Sequence, residues 1–349
     1  MQPGLVTVMI PSYNYARYLV ECVESAAGQA DVDVVIVDNG STDKSPEIAA
    51  RLAERHRNVR FVRYEDNQGI ITSFTRCRQE VRGEYAVLLC ADDMLTPGSI
   101  ERSRQFMARH ANVGLAYGPA TFFLRLDDLR PDELDGDIRL PIVYSGDQWI
   151  ERLCRTGLNP IYTPEAFARS SVLEKVGTYE PRCPYTSDLN MWLRVAAVSD
   201  VGYVRGPSQA LFRRHETNEG TAYPHASAAE LAQRWAAFAA FFETLGDDPR
   251  RANWEHLARR RVAGDARYAA TRAFVRETSD SADGEVDRLL EMANEIDPAD
   301  PLGDRLGWKI RDRLGPRWSR RFPGFLPRPV FNRLGRLRDE HRRQRSGVA

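Results

Sequence analysis

The sequence predicts an α/β fold built on a mainly parallel central sheet with helices on both faces. Apolar or β-branched runs alternate with helix-length segments, and each run is nearly continuous instead of alternating between apolar and polar residues. A continuous run is typical of a strand that is buried on both faces. A βαβαβαβ order folds by default as a right-handed parallel sheet. The predicted strands are residues 5–10, 32–37, 59–64 and 85–90.

Apolar residues at helical spacing predict helices in the segments between and after these strands. Residues 18–27 form one such segment, and the next begins at Pro46, with Ser45 in the position of an N-cap. Residues 187–198 carry an apolar stripe after a capping Thr186 or Ser187. The remaining helices, rich in Ala and Leu and without residues that suggest chemistry, predict an accessory layer: 226–245, 254–278 and 284–296.

The composition is that of a globular chain with room for one large domain and a smaller addition. Of the 349 residues, 42% are hydrophobic and 28% are charged, and the formal net charge is +0. A predicted strand follows Met1 closely and no apolar run reaches about eighteen residues, so we expect a cytoplasmic protein without a signal peptide. The five cysteines show no CxxC spacing, which predicts free thiols.

Positive charge is concentrated near the C-terminus. Residues 309–345 contain thirteen Lys or Arg against three Asp or Glu, with aromatic residues interleaved. Such a segment could contact the inner face of an anionic membrane, which would make the protein peripheral there. The alternative is a solvated basic end, because Pro323, Pro327 and Pro329 interrupt any long helix. Nucleic-acid binding is not expected, since no recognised module accompanies the charge.

Adjacent carboxylates follow the last of the four predicted strands. Asp92 and Asp93 offer the hard oxygen ligands that Mg²⁺ and Mn²⁺ prefer. A solvated turn is the alternative, because Asp-Asp before Thr96 and Pro97 is also a good capping sequence. The carboxyl ends of neighbouring parallel strands border one crevice, which is where an open α/β sheet binds its ligand.

Two other strand ends bring polar groups to the same crevice. Asp38 and Asn39 can bond the base or ribose of a nucleotide, although their sequence is also rich in turn residues. The segment Pro11, Ser12, Tyr13 and Asn14 has the same two interpretations.

Two single residues later in the chain suggest chemistry. His215 could be an imidazole metal ligand, whereas a histidine among arginines is more often a surface or satisfied core residue. Asp188 near a helix start is most simply a capping acid, favoured by the helix dipole. The same dipole would keep it ionised near neutral pH, as a general base requires.

The chain resembles the family 2 glycosyltransferases when its motifs are read in order over about residues 6–218. The strings are VTVMIPSYN, VDNGSTD, NQGI, RGEYAVLLCADDM, TSDLNMWLRV and RRHETN. The resemblance implies a Rossmann-like GT-A domain over 1–222, with a nucleotide-sugar half at about 1–118 and an acceptor half at about 119–222. A helical accessory region, 223–300, and a basic, Arg-rich tail, 301–349, would follow it.

The resemblance also implies a metal-dependent, inverting transferase. The donor would be a nucleotide-diphosphate sugar, with UDP or dTDP as the first guess. The acceptor would be a hydroxyl of a glycan, lipid-linked or small-molecule substrate, such as a cell-envelope polysaccharide or glycolipid precursor. Asp188 would be the general base, and Asp92, Asp93 and His215 would hold Mn2+ or Mg2+. The implied nucleotide-sugar contacts are Pro11, Ser12, Tyr13, Asn14, Asp38, Asn39, Arg76, Ala91 and Asp92.

Three positions depart from the family pattern. Cys90 replaces the first acid of D-x-D, and a neutral thiol is a poor ligand for a hard cation. Asn39 and Ser187 replace two further acids. These departures keep open a binding scaffold that has lost turnover, and a nucleotidyltransferase is a weaker alternative. Candidate lids are residues 125–141 and 216–222, and the helical layer could form a homodimer surface.

Overall fold

The computed structural model describes residues 1–129, 134, 136, 139–218, 223–276 and 284–298. The strands in chain order are β1 (Gln2–Ser12), β2 (Val32–Asn39), β3 (Val59–Tyr64), β4 (Gly83–Leu88), β5 (Met94–Leu95), β6 (Val113–Tyr117), β7 (Ala120–Phe123), β8 (Ile142–Tyr144), β9 (Phe167–Arg169), β10 (Asp200–Tyr203) and β11 (Ala210–Arg213). The helices are α1 (Leu19–Ala27), α2 (Ser45–Arg55), α3 (Gly69–Gln79), α4 (Ser99–Arg109), α5 (Gly146–Thr156), α6 (Ser170–Val176), α7 (Ser187–Ala196), α8 (Ala228–Thr244), α9 (Arg251–Arg276) and α10 (Glu285–Ile296).

The predicted α/β fold with a mainly parallel central sheet is confirmed. The eight strands of the main sheet lie in the order β3-β2-β1-β4-β9-β6-β10-β8. The first four of these strands are mutually parallel, as the βα alternation requires. The short strand β9 runs antiparallel to both of its neighbours, β4 and β6. It therefore joins the two parallel parts of the sheet.

The register between β1 and β2 brings the predicted strand-end residues together. Val8 pairs with Val34, and the pairing continues until Ser12 faces Asp38 at the carboxyl end. Leu89, just beyond β4, donates its N–H to the Met9 carbonyl at 2.9 Å and extends β4 along the other side of β1. The ends of β1, β2 and β4 thus border one crevice.

A smaller sheet, in the order β5-β11-β7, flanks this crevice. Strand β11 is parallel to β7 and antiparallel to β5, and Leu211 of β11 pairs with Met94 of β5. Because β5 follows the Asp92–Asp93 turn directly, this pairing carries the end of β11 to that turn.

The C-terminal helices pack on the sheet domain through a shared apolar core. Trp149 of α5 and Leu193 of α7 belong to one buried cluster together with Phe238 of α8. These helices also contain a buried ion-pair network. Arg234 is buried, donates to Glu230 and also bonds to Asp265 Oδ2 at 3.3 Å, so an ion-pair network links α8 to α9.

Thr186 occupies the N-cap position of α7, as predicted, whereas the N-cap position of α2 is Lys44 and not Ser45. Ser45 is the first residue of α2, and its hydroxyl accepts the Tyr15 N–H at 2.9 Å. Thr186 makes no capping bond and donates to the Gln233 carbonyl at 2.7 Å, while Ser187 begins α7. Side chains that suit a helix terminus instead tie separate segments together.

Several sequence predictions concern residues outside or only partly inside the described ranges. The basic tail, 301–349, lies outside them, and so do parts of the candidate lids, 125–141 and 216–222. Within the described ranges, no helix is both long and apolar enough to span a bilayer. All five cysteines are free thiols.

Candidate active site

The turn after β4 carries the two predicted acidic ligands, and both contact residues at or just after the end of β11. Asp93 is 2% exposed, and its Oδ1 accepts the backbone N–H of Arg213 at 2.9 Å. Burial, and next the charge of Asp92, raise the pKa of Asp93 well above its usual range. Asp92 is also buried but faces the segment after β11. The turn therefore holds two carboxylates in little water.

His215 is brought to Asp92 as the sequence predicts. Its Nε2 lies 2.9 Å from Asp92 Oδ2, and its Nδ1 lies 2.9 Å from the Thr217 hydroxyl. The imidazole ring also lies 5.1 Å from the ring of Tyr18, between centroids. Asn218 donates to the same Asp92 oxygen at 3.2 Å. These contacts fix the orientation of both the carboxylate and the imidazole.

Arg213 supports this turn, and the sequence analysis did not single it out. The side chain is buried and its Nε donates to the Asp92 carbonyl oxygen at 2.8 Å. Its Nη2 bonds to Glu21 of α1, and the guanidinium carbon lies 4.6 Å from the ring centroid of Tyr18. The sequence offers only an arginine pair before a histidine, which does not indicate which arginine turns inward.

The donor set suits a hard divalent cation. The ligand atoms of Cys90, Asp92 and Asp93 lie within 4.8 Å of one another, and His215 adjoins Asp92. Burial, together with the nearby aspartates, raises the pKa of the Cys90 thiol well above its usual range. The thiol is therefore neutral, and the two carboxylates and the imidazole are the groups that could bind a cation.

Two buried polar atoms at the ends of β1 and β2 lack hydrogen-bond partners among the described residues. They are Ser12 Oγ and Asp38 Oδ1, which belong to directly paired positions. The other oxygen of Asp38 accepts the Ser41 N–H at 3.0 Å. Buried polar groups normally have hydrogen-bond partners, so these two atoms are candidates for contacts with a ligand.

Other predicted nucleotide contacts are occupied by protein groups. Asn14 has a φ of 60°, and its side-chain oxygen accepts the Thr42 N–H at 2.8 Å. Asn39 accepts a bond from Arg76 and donates to Asn67 at 2.9 Å. The Arg76 guanidinium carbon lies 3.9 Å from the ring centroid of Tyr64. Of the remaining predicted contacts, Tyr13 is 39% exposed, Pro11 is buried and Ala91 is buried.

Asp188 lies in the first turn of α7, as the sequence predicts. Its Oδ1 accepts the Leu189 N–H at 2.7 Å and its Oδ2 accepts the Asn159 amide at 2.7 Å. Burial nevertheless raises the pKa of Asp188 to about 6. Desolvation thus outweighs the hydrogen bonds to this carboxylate, which lower its pKa. The carboxylate is still ionised at pH 7, and it is more basic than an exposed aspartate.

Glu165 is a second residue that the sequence analysis missed. It is 3% exposed, its Oε1 accepts the Tyr162 N–H at 2.7 Å, and its Oε2 has no partner among the described residues. Burial raises the pKa of Glu165 to about 8, and the charge of Asp188 adds to the shift. Glu165 also raises the pKa of Asp93, so it lies near both ends of the site. Nothing in the local sequence distinguishes it from a surface glutamate.

The fold and its crevice define a class of protein. The structure is similar to that of S. aureus TarS 1-349 in complex with UDP-GlcNAc, with a TM-score of 0.61 and 14% identity over 84% of this chain and 81% of that chain. The chain therefore has the GT-A fold. Residues 7–176 match the sequence model of glycosyl transferase family 2, and the chain belongs to that family.

Two curated relatives match parts of the same region. Chondroitin synthase from Escherichia coli is 32% identical over 174 residues, which is 48% of this chain and 21% of that protein. Glycosyltransferase GlyG from Streptococcus pneumoniae is 33% identical over 99 residues, which is 28% of this chain and 33% of that protein. The matched region thus covers one third or less of either relative.

Proposed function

We propose that the protein is an inverting, metal-dependent glycosyltransferase. It would move a hexosyl or deoxyhexosyl group from a nucleotide-diphosphate sugar, with UDP or dTDP as the nucleotide, to an acceptor hydroxyl. The acceptor would be a glycan or lipid-linked precursor of a cell-envelope polysaccharide or glycolipid. The observation that carries the proposal is one crevice with unpaired Ser12 and Asp38 atoms, an acidic turn and a basic Asp188.

The nucleotide would occupy the ends of β1 and β2. Ser12 Oγ and Asp38 Oδ1 are buried and need partners, and the hydroxyl and N–H groups of a nucleoside can supply them. Asp92, Asp93 and His215 would hold Mn²⁺ or Mg²⁺ beside the diphosphate. When bound, such a cation supplies positive charge that stabilises a departing diphosphate.

Asp188 would be the general base. Its ionised carboxylate accepts the proton of the acceptor hydroxyl while that oxygen attacks the anomeric carbon from the face opposite the nucleotide. The new carbon–oxygen bond forms as the bond to the diphosphate breaks, so the configuration at the anomeric carbon inverts. Asn159 and the Leu189 N–H orient the carboxylate, and burial raises its basicity towards the working pH.

A nucleotide panel tests donor binding. UDP, dTDP and GDP are added with and without Mn²⁺, and the melting temperature is measured. A ligand at about one hundred times its Kd should stabilise the fold by about 2.7 kcal/mol. We expect a Mn²⁺-dependent shift with one nucleotide, and a smaller shift in Ser12→Ala. Asp247→Asn is the control, because Asp247 is exposed and lies outside both candidate lids.

Turnover is tested with the sugar of the nucleotide that binds. Donor hydrolysis and transfer should be lost in Asp188→Asn, whereas nucleotide binding persists. If no nucleotide shifts the melting temperature, the proposal fails. If a sugar nucleotide binds but activity is absent from the wild type, the alternative of a binding scaffold is favoured.

A further inference from the structure

Three aromatic side chains lie together beside the smaller sheet. They are Phe122 of β7, Phe212 of β11 and Tyr162 of the loop before β9, and we call them the aromatic platform. The ring centroids of Phe122 and Tyr162 are 4.8 Å apart and nearly perpendicular, at 85°. The Phe122–Phe212 and Tyr162–Phe212 distances are 5.5 and 5.8 Å. Each ring therefore contacts the other two.

The platform is not part of the buried core. Tyr162 is 39% exposed, and Phe122 and Phe212 are half-buried. The exposed Arg214 places its guanidinium carbon 4.2 Å from the ring centroid of Phe122. The surface thus combines aromatic faces with several N–H donors at one edge.

The loop that carries Tyr162 is fastened to Asp188 on both sides of the ring. Asn159 donates to Asp188 Oδ2 at 2.7 Å, and the Thr163 side chain also bonds to this carboxylate. The Tyr162 N–H donates to the buried Glu165 at 2.7 Å. Contacts to Asp188 therefore hold the backbone on both sides of Tyr162.

The backbone of this loop is held in an unfavourable conformation. Thr163 has a φ of 91°, which is rare for a β-branched residue. Such a conformation persists where the surroundings determine it, and it is concentrated at functional sites. Here the surroundings include the bond to Asp188 and the Ala166 N–H, which donates to the Thr163 carbonyl at 3.0 Å.

We propose that the aromatic platform binds a pyranose ring of a saccharide acceptor beside Asp188. One face of a pyranose presents C–H groups that pack on an aromatic face, and its hydroxyls bond to a guanidinium. A lipid chain would need an apolar surface, whereas here Arg214 lies over the Phe122 ring and Tyr162 closely follows Asn159, which bonds to Asp188. The inference rests on the proposed transferase function and assigns the acceptor class.

Saturation-transfer NMR tests the platform directly. The probes are methyl pyranosides of the common hexoses and N-acetylhexosamines at millimolar concentration, with nucleotide and Mn²⁺ present. We expect the ring C–H protons of at least one methyl pyranoside to receive saturation from the wild type. Tyr162→Phe keeps the ring and should keep the signal. Tyr162→Leu keeps apolar volume without the ring and should bind at least roughly fivefold more weakly.

Two further variants separate binding from folding. Arg214→Gln changes an exposed side chain, so the variant should fold normally. It should nevertheless bind pyranosides more weakly than the wild type does. Leu124→Ala is the control, because Leu124 is 66% exposed and lies outside the platform. An absent wild-type signal, or an equal signal in Tyr162→Leu and Arg214→Gln, overturns the platform. Farnesyl phosphate binding that depends on Tyr162, without pyranoside binding, also overturns it.

Nucleotide binding, measured in the same samples, distinguishes the two proposals. Nucleotide binding without any pyranoside signal leaves the transferase standing and removes the platform. Pyranoside binding that depends on Tyr162, without binding of any nucleotide, supports the platform and removes the transferase.

Discussion

Replacement of Asp188 by asparagine should stabilise the folded protein at neutral pH while it removes catalysis. Burial raises the pKa of Asp188 from 3.8 to about 6. The difference corresponds to about 3 kcal/mol by which the ionised carboxylate destabilises the folded state. Because the folded pKa is the higher one, this cost is complete above pH 6, shrinks as the pH falls, and is absent below 3.8.

The substitution by asparagine would not recover all of this free energy. The two carboxylate oxygens accept bonds from Leu189 and Asn159, and an amide offers only one acceptor oxygen. The loss of one hydrogen bond costs about 1 kcal/mol, which leaves a net gain of about 2 kcal/mol at pH 7.5. At pH 5 the cost of the wild-type carboxylate falls to about 1.6 kcal/mol, so the net gain falls below about 1 kcal/mol.

Urea unfolding at pH 7.5 and at pH 5 measures this gain. Asp128→Asn removes an exposed carboxylate and should change stability little at either pH. The reasoning is refuted if Asp188→Asn is less stable than the wild type at pH 7.5. It is also refuted if the stability difference is the same at both pH values, because a buried charge must make it larger at the higher pH.

Three other predictions follow from the same contacts. Transfer activity should rise with pH through about 6, the pKa of Asp188, and a kcat/KM profile from pH 5 to 8 that is flat would contradict the base role. Arg213→Lys replaces two separate donor nitrogens, Nε to the Asp92 carbonyl and Nη2 to Glu21, with a single ammonium nitrogen, so Mn²⁺-dependent nucleotide affinity should fall at least roughly tenfold by titration. The exposed Arg55→Lys should match the wild type. Burial raises the pKa of Glu165 from 4.5 to about 8, so wild-type stability should fall as the pH rises between these values. The melting temperature of Glu165→Gln should therefore exceed that of the wild type by more at pH 8 than at pH 5. A difference that is the same at both pH values would contradict the raised pKa.

The local sequence pattern was sufficient to predict the parallel half of the sheet. A strand buried on both faces needs a continuous apolar run, and the runs that end near Val37 and Cys90 have no other stable placement. The antiparallel strand β9 was not predictable in the same way. It is the three-residue segment Phe167–Arg169, too short to show a period, and only its pairing with β4 and β6 makes it a strand.

The residue types of the candidate site could be predicted from the sequence, but their pKa values could not. Asp92, Asp93 and Asp188 stand out because acids follow an apolar run or begin a helix. The raised pKa values of Asp93 and Asp188 come from burial by distant segments, which the local sequence does not reveal. Glu165 shows the same limit more clearly, since its burial comes from the packing of a loop that carries no motif.

Ser12 and Asn14 show why adjacent residues of one motif differ in their availability to a ligand. Both are small polar residues after the same apolar run, and either could form a turn or bind a nucleotide. The Asn14 oxygen is used by the N–H groups of Thr42 and Asp43, which belong to the loop after β2. The Ser12 hydroxyl is buried opposite Asp38 and has no hydrogen-bond partner in the part of the chain that the structure describes. The register of β1 against β2 decides the difference, and that register is set by core residues from both strands. A ligand contact in this family motif is therefore better inferred from unpaired buried atoms than from the motif letters.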